Sequence, residues 1–327
     1  MIMVLTVVKP VSVFVCVTGS LLILVALVQA QPAPLKFVYS GTGGSTDVIK
    51  FSNEGGYFKK RGVELTMIYV ASGVITAQTV VSGTAPAAAG TITDMLRALA
   101  AGAAMKITMV TTDRFDSLFV GRAGISNPAE LRGKKVAVSR YGSFSDIQTR
   151  FVIRQFGLDP DRDVQILQVG NTSARAAALL GGAIDGALMS PSFIPVVQRN
   201  GLTVLFDLST LPNRFAVIGL VVNSRLIDKQ PHVVKALVGG YIDGIRAWRN
   251  NPLSAKAYLK KSYKTSDAEV DTVYGEINRF LLLEPWPNLE AIRNTWDSMP
   301  ELRSRKDVDV NKFVDARFVD DALKALK

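Results

Sequence analysis

The chain has 327 residues, 48% hydrophobic and 20% charged, which is enough for a soluble protein with two lobes that each bury a core. The formal charge of +10 comes from scattered lysines and arginines, with no basic run longer than residues 58–61, so a nucleic-acid-binding protein is disfavoured. Cys16 is the only cysteine and lies in an apolar N-terminal segment, so the rest of the sequence excludes disulfides and thiolate chemistry.

The first thirty residues have the pattern of a signal peptide. Lys9 precedes an apolar run at residues 11–30, and Val28 and Ala30 place small residues where signal peptidase reads them. Cleavage after Ala30 would make Gln31 the first mature residue, which predicts export to the periplasm. Because the run is long for a signal core, a retained membrane anchor is the alternative.

Beyond residue 34, short apolar runs alternate with helical periods, which predicts an α/β fold with mainly parallel sheets. The first predicted strands are LKFVYS, VELTMIYV, TAPAAAG and MKITMVTT, with helices after the first three. LFVGRAG then looks extended, and after NPAELRGKK the pattern restarts through KVAVS, VQILQV, IDGALMS and LTVLFDL. FAVIGLVVN is a second extended segment, and from Pro231 onward the chain is predicted to be nearly all helical.

The two extended segments predict that the chain crosses twice between its lobes. The first lobe would then combine residues 35–122 and 215–327, and the second lobe would consist of residues 123–214. A cleft between lobes is a frequent ligand site, and paired connections between lobes can act as a hinge.

The sequence lacks the residues of common catalytic and cofactor sites. His232 is the only histidine and stands at a predicted helix start, so no Cys–His pair is available. In YSGTGGSTDV, Thr46 replaces the last glycine of the dinucleotide motif, and no Gly-Lys follows. In DPDRDV, Val164 stands where a calcium loop needs glycine. We therefore expect no enzymatic activity, no cofactor and no metal site.

Four stretches resemble one family of binding proteins. They are EGGYFKKRGVELTM (residues 54–67), LRGKKVAVSRYGSFSDIQTRFVIRQFGLDPDRDVQIL (131–167), AALLGGAIDGALMSPSF (177–193) and VVNSRLIDKQPHVVKALVGGYIDGIRAWRNNP (221–252). Their order is similar to that of solute-binding proteins of ABC importers, of the nitrate/sulfonate/taurine and thiamine-pyrimidine-precursor type. The resemblance covers nearly all of residues 35–265. It implies a two-lobed periplasmic binding protein of type II, in which two hinge crossings join lobes that are each a mainly parallel sheet flanked by helices.

The resemblance also implies a function. The protein would be an extracytoplasmic receptor that closes its cleft on a small, anionic organic solute such as a sulfonate or carboxylate. It would deliver this solute to an ABC permease with its ATPase, and we expect a monomer without a nucleic-acid partner. The alternatives are a binding protein of a tripartite carrier or sensor system, or a pyrimidine-precursor-related enzyme on the same fold. By resemblance, that enzyme relies on a cysteine-rich motif and histidine chemistry, and the mature chain has no cysteine.

The candidate ligand residues follow from where ligands bind in α/β lobes, beyond the carboxyl ends of the strands. Hydroxyl and glycine residues at these ends suit hydrogen bonding to an anionic group. In RYGSFSD, a ring in the ligand could stack on Tyr141 or Phe144, although a capped helix with a core aromatic explains the same pattern. Arg114, Arg140, Arg175 and Arg214 are candidates for pairing with ligand charge, and Arg175 is equally compatible with a solvated or aspartate-paired position. The predicted ligand-binding residues are Ser40, Thr42, Ser45, Gly73, Gly90, Thr91, Thr112, Arg114, Tyr141, Gly142, Ser143, Asn171, Ser190 and Phe193.

Overall fold

The computed structural model describes residues 32–40, 44–70 and 72–325. The predicted signal peptide with Cys16, and Thr42 of the glycine-rich stretch, lie outside the described residues. Within the described ranges, no helix is long and apolar enough to cross a lipid bilayer.

The first sheet is mixed and has the strand order β2-β1-β3-β10-β4. Strand β1 runs parallel to β2 and β3, whereas β10 runs antiparallel to β3 and β4. Neighbouring side chains Phe37 and Val38 are both fully buried and belong to different core clusters, because successive residues of a strand face opposite sides of the sheet. The strands are β1 Ala33–Ser40, β2 Val63–Val70, β3 Ala87–Thr91, β4 Met105–Thr112 and β10 Ile218–Asn223.

Helices cover both faces of this sheet and bury its apolar side chains. Trp248 is fully buried in the core cluster on the Phe37 face, and Trp296 is fully buried in the cluster on the Val38 face. The helices are α1 Ser45–Glu54, α2 Tyr57–Lys60, α3 Gly73–Val81, α4 Ile92–Ala100, α8 Ser224–Lys229, α9 Pro231–Asn250, α10 Pro252–Tyr263, α11 Asp267–Phe280, α12 Leu289–Ser298 and α13 Arg317–Lys324. The helical region predicted after Pro231 is thus confirmed.

The second sheet is also mixed and has the order β7-β6-β8-β5-β9. Strand β6 runs parallel to β7 and β8, and β5 runs antiparallel to β8 and β9. Its strands are β5 Leu118–Gly121, β6 Lys135–Val138, β7 Gln165–Gln168, β8 Gly186–Met189 and β9 Thr203–Asp207. Helices α5 Phe144–Gln155, α6 Thr172–Leu180 and α7 Ile194–Arg199 and the short 3-10 turns Pro128–Leu131, Pro191–Phe193 and Leu208–Thr210 accompany it.

The structure corrects two details of the sequence analysis. LFVGRAG and FAVIGLVVN were expected to be connections, but they supply β5 and β10, each lying between two other strands of its sheet. The chain instead passes between the sheets at residues 113–117 and 208–217. Each sheet is mixed because β5 or β10 runs antiparallel to its neighbours, while the other four strands of each sheet run in one direction, as the predicted mainly parallel sheets require. The boundaries proposed for the two lobes stay a prediction.

Candidate ligand-binding cleft

A cavity of about 140 Å³ lies where the carboxyl ends of strands from both sheets meet. Seven of the predicted ligand residues line it. From the first sheet and its helices come Ser40, Ser45, Gly73 and Thr91, and from the second come Ser143, Asn171 and Ser190. The structure therefore brings together strand ends that are far apart in the sequence, as expected for α/β lobes. That these residues contact a ligand stays a prediction.

The wall from the first sheet consists of helix starts. Ser45 begins α1 and Ser72 precedes α3, and both hydroxyls are buried without a hydrogen-bond partner among the described residues. Gly73 is required at this wall, because an added Cβ would lie 2.9 Å from the Cγ of Asp94. The helix starts present backbone N–H groups and free hydroxyls, which is the arrangement that binds anions in many proteins.

The wall from the second sheet is built by the RYGSFSD turn. Gly142 has a φ of 73°, which permits the tight turn, and Ser143 caps α5 by accepting a hydrogen bond from the backbone N–H of Asp146. The hydroxyls of Ser139, Ser143 and Ser145 lie 2.9–3.0 Å from one another and form a hydrogen-bonded cluster on the cavity. The turn thus supplies several hydroxyl groups at one point of the wall.

Arg175 is the buried cation of the cleft, with a relative exposure of 5%. Its guanidinium donates to the carbonyls of Gly170 at 2.6 Å and Leu188 at 3.0 Å, and to the hydroxyl of Thr172 at 3.2 Å. No carboxylate among the described residues pairs with it. Burial lowers the pKa of Arg175 to about 10, so it remains charged at neutral pH. A solvated or an aspartate-paired position for Arg175 was equally compatible with its sequence context, and the structure shows neither.

Two carboxyl groups also face the cavity. Burial raises the pKa of Asp94 to about 6, although the hydrogen bond from Thr91 and the positive charge of Arg97 both act to lower it. Burial likewise raises the pKa of Asp116 to about 6, although hydrogen bonds from its own backbone and from Ser117 act to lower it. Asp94 pairs with Arg97 at 3.2 Å, whereas Asp116 has no cationic partner in the part of the chain that the structure describes. The cleft thus has one cation without a carboxylate partner and two carboxyl groups that protonate near pH 6, of which Asp116 has no cationic partner among the described residues.

Six predicted residues lie elsewhere. Gly90 is buried where an added Cβ would meet the Met95 side chain at 3.0 Å, so it serves packing. Tyr141 is 54% exposed, and its hydroxyl donates to the carbonyl of Ile166 at 3.0 Å. Phe193 packs in a core cluster of the second sheet. Thr112 is buried at the end of β4, Arg114 is exposed, and Gly142 forms the turn described above without lining the cavity.

The other arginine candidates are also placed away from the cavity. Arg140 is exposed, and Arg214 pairs with Asp113 at 2.7 Å. Phe144, a predicted stacking residue, lines the cavity, and the residues that the prediction missed include Asp94, Asp116 and Gln148, which line it as well. The sequence signal for Asp94 and Asp116 was their position four residues beyond a predicted strand end, whereas Gln148 lies farther along, within helix α5.

Several contacts join the first-sheet and second-sheet parts around the cleft. The backbone N–H of Gly44 donates to the hydroxyl of Ser192 at 2.9 Å, and Asn171 donates to the hydroxyl of Tyr69. Arg199 forms an ion pair with Glu269 of α11. The two walls are therefore already in contact at the edge of the cavity.

Comparison with known proteins gives a consistent picture. A family model described as NMT1/THI5-like matches residues 49–255. A relative from Brucella abortus, named "Putative binding protein", is 22% identical over 268 residues, which cover 79% of this chain and 81% of the relative.

Two solved structures are similar over most of the chain. The alkanesulfonate-binding protein SsuA from Xanthomonas axonopodis pv. citri, bound to MOPS, has a TM-score of 0.70 at 15% identity and covers 90% of this chain and 98% of its own. The periplasmic nitrate-binding protein NrtA from Synechocystis PCC 6803 has a TM-score of 0.74 at 15% identity and covers 90% of this chain and 89% of its own. These similarities confirm the two-lobed type II periplasmic binding protein fold.

Proposed function

The chain belongs to the NMT1/THI5-like family, and on this premise we propose that it is the extracytoplasmic solute receptor of an ABC importer. Its solute would be a small organic anion, such as a sulfonate or a carboxylate, held in the cleft between the two sheets. Its role would be binding and delivery to a permease, without turnover of the solute. The sulfonate- and nitrate-binding neighbours support an anion as the ligand class.

The observation that carries this proposal is the environment of Arg175. A buried charge is costly unless an opposite charge compensates it, and the described residues offer Arg175 only carbonyls and a hydroxyl. An anionic group of the solute would supply the missing charge. The free hydroxyls of Ser45, Ser72 and Ser190 line the same cavity and can donate to its oxygens.

Closure of the cleft follows from the same geometry. The cavity walls come from both sheets, and the chain passes twice between the sheets, so a solute that contacts both walls stabilises the closed arrangement. Only a solute with different affinity for the closed and the open states can shift the balance between them.

Substitution of Arg175 tests the proposal. Arg175→Met should weaken binding of the anion by at least about 30-fold, since removing one partner of a buried charge pair costs about 2 kcal/mol or more. Arg175→Lys keeps the charge and should bind with intermediate affinity. Arg249→Met is the matched control, because the Arg249 guanidinium also donates to backbone carbonyls but lies outside the cavity.

Isothermal titration with sulfonates, carboxylates and nitrate provides the measurement, and thermal unfolding shows that each variant is folded. Unchanged anion affinity in folded Arg175→Met protein, or no binding across a broad library, would contradict the proposal. If cells without the permease still respond to the solute, a sensor or tripartite carrier system is the better assignment.

Export and partners complete the proposal. Cleavage after Ala30 would release a monomeric periplasmic form that docks on a permease coupled to an ATPase. The intact mass of the protein from a periplasmic extract tests the first point, because the released chain must begin at Gln31. A full-length mass in the membrane fraction would instead support the retained anchor.

A further inference from the structure

A second cavity, of about 240 Å³, adjoins the polar cleft and is mainly apolar. Helix α5 supplies Phe144, Ile147 and Phe151 to its walls. The two connections between the sheets supply Phe115 and Phe215. The cavity therefore lies against both connections, and its lining differs sharply from the hydroxyl-rich lining of the polar cleft.

The two cavities share wall residues, namely Phe144 and Gln148. Gln148 is 3% exposed, and its Oε1 accepts a hydrogen bond from Ser117 at 3.4 Å. Its Nε2 has no partner in the described part of the chain. A buried amide donor without a partner costs free energy, so a polar atom placed at this junction would be stabilised by a hydrogen bond from Gln148.

Aromatic rings form one side of the apolar cavity. The ring of Phe115 stacks on that of Phe215, with centroids 4.5 Å apart, and lies 5.8 Å from the ring of Phe144. Phe144 thus separates the hydroxyl cluster of the polar cleft from the rings on the connections. A ligand group that passes Phe144 would leave water and contact aromatic faces, which is favourable for an apolar or aromatic group.

We propose that the two cavities are one extended site for a single amphiphilic solute. Its anionic group lies in the polar cleft with Arg175, and an aromatic or branched apolar tail extends past Phe144 into the apolar cavity. A polar atom near the start of the tail would accept from Gln148 Nε2. This inference rests on the proposed function and specifies the class of its solute.

The test compares anions that share a head group and differ in their tails. Methane-, butane-, benzene- and naphthalenesulfonate, and the corresponding carboxylates, are titrated calorimetrically into the mature protein. Affinity should rise with tail size, by about fourfold for each buried methylene group. Phe151→Ser should reduce the affinity for the tailed anions by about fivefold or more while leaving the shortest anion unchanged. Phe151 is 36% exposed, so this variant should fold.

Leu253→Ser serves as the matched control, because Leu253 is 82% exposed and lines neither cavity. Affinity that does not depend on the tail would overturn the extended site and leave the proposed function intact. Toluene has a ring and no anionic group. If it bound as tightly as benzenesulfonate, the extended site would also be overturned, because the apolar cavity would then be an independent site. If no anion of any length binds, the proposed function fails as well.

Discussion

Replacing Asp116 with asparagine should stabilise the empty protein at neutral pH. The carboxyl group of Asp116 faces the cleft, and its pKa is raised from 3.8 to about 6 because burial disfavours the charged form. In the unfolded chain the same group ionises with an ordinary pKa. At a pH between these two pKa values, the folded protein therefore retains a proton on Asp116 that the unfolded chain has lost.

The sign of the effect follows from this difference. The stability contributed by protonated Asp116 is fully present below about pH 4 and is lost as the pH rises through about 6. At 1.36 kcal/mol per pKa unit, this rise in the pKa of Asp116 changes the free energy of unfolding by at most about 3 kcal/mol. Because Asp116 keeps a part of its surface in contact with solvent, which screens the charge, we expect that Asp116→Asn raises the free energy of unfolding by about 1–2 kcal/mol at pH 8.

The assay is urea unfolding of wild type and Asp116→Asn protein between pH 4 and pH 8, without solute. The gain in the free energy of unfolding should shrink steadily toward pH 4. Asp307→Asn is the control, since Asp307 is exposed and remote from the cleft lining. A variant that is no more stable than this control at pH 8, or a gain that does not depend on pH, would refute the reasoning.

Two further substitutions test a close packing contact and a buried hydrogen bond. An added Cβ at Gly240 would lie 2.8 Å from the Cα of Phe58, so Gly240→Ala should lower the free energy of unfolding, measured in urea titrations, by about 1–3 kcal/mol. Gly239→Ala is the control, because an added Cβ there would meet nothing nearer than 3.6 Å, and it should be neutral or slightly stabilising. The Tyr263 hydroxyl donates to the Asp47 carboxyl group at 2.7 Å, so Tyr263→Phe should lower the free energy of unfolding by about 1 kcal/mol or more. The loss should become smaller as the pH falls, because burial raises the pKa of Asp47 and a protonated carboxyl group accepts a weaker hydrogen bond; a loss that does not depend on pH would contradict this reasoning.

Most elements of the fold could be predicted because their signals are local. The alternation in LKFVYS places Phe37 and Val38 on opposite faces, and both are buried as a central strand requires. The Gly142 turn and the Ser143 cap likewise mark the start of α5 within a few residues. The hydroxyls at strand ends were found in the same way, since position after a strand is enough to place them near the cleft.

Strand partners and strand direction could not be predicted in this way. LFVGRAG and FAVIGLVVN have the apolar pattern of strands, yet nothing in either segment states which sheet it joins or in which direction it runs. β10 pairs with β3 and β4, more than one hundred residues earlier in the chain. These pairings depend on the packing of the whole lobe.

The sequence alone therefore determined the periodic elements, the turns and caps that delimit them, and the absence of a cysteine after residue 30. Only the tertiary structure decided that Arg175 is buried without a carboxylate, that Asp116 faces the same cavity, and that Phe144 borders two cavities. The physical reason is that backbone geometry responds to near neighbours in the chain. Burial, charge pairing and the pKa values that follow from them depend on groups that folding brings together from distant positions.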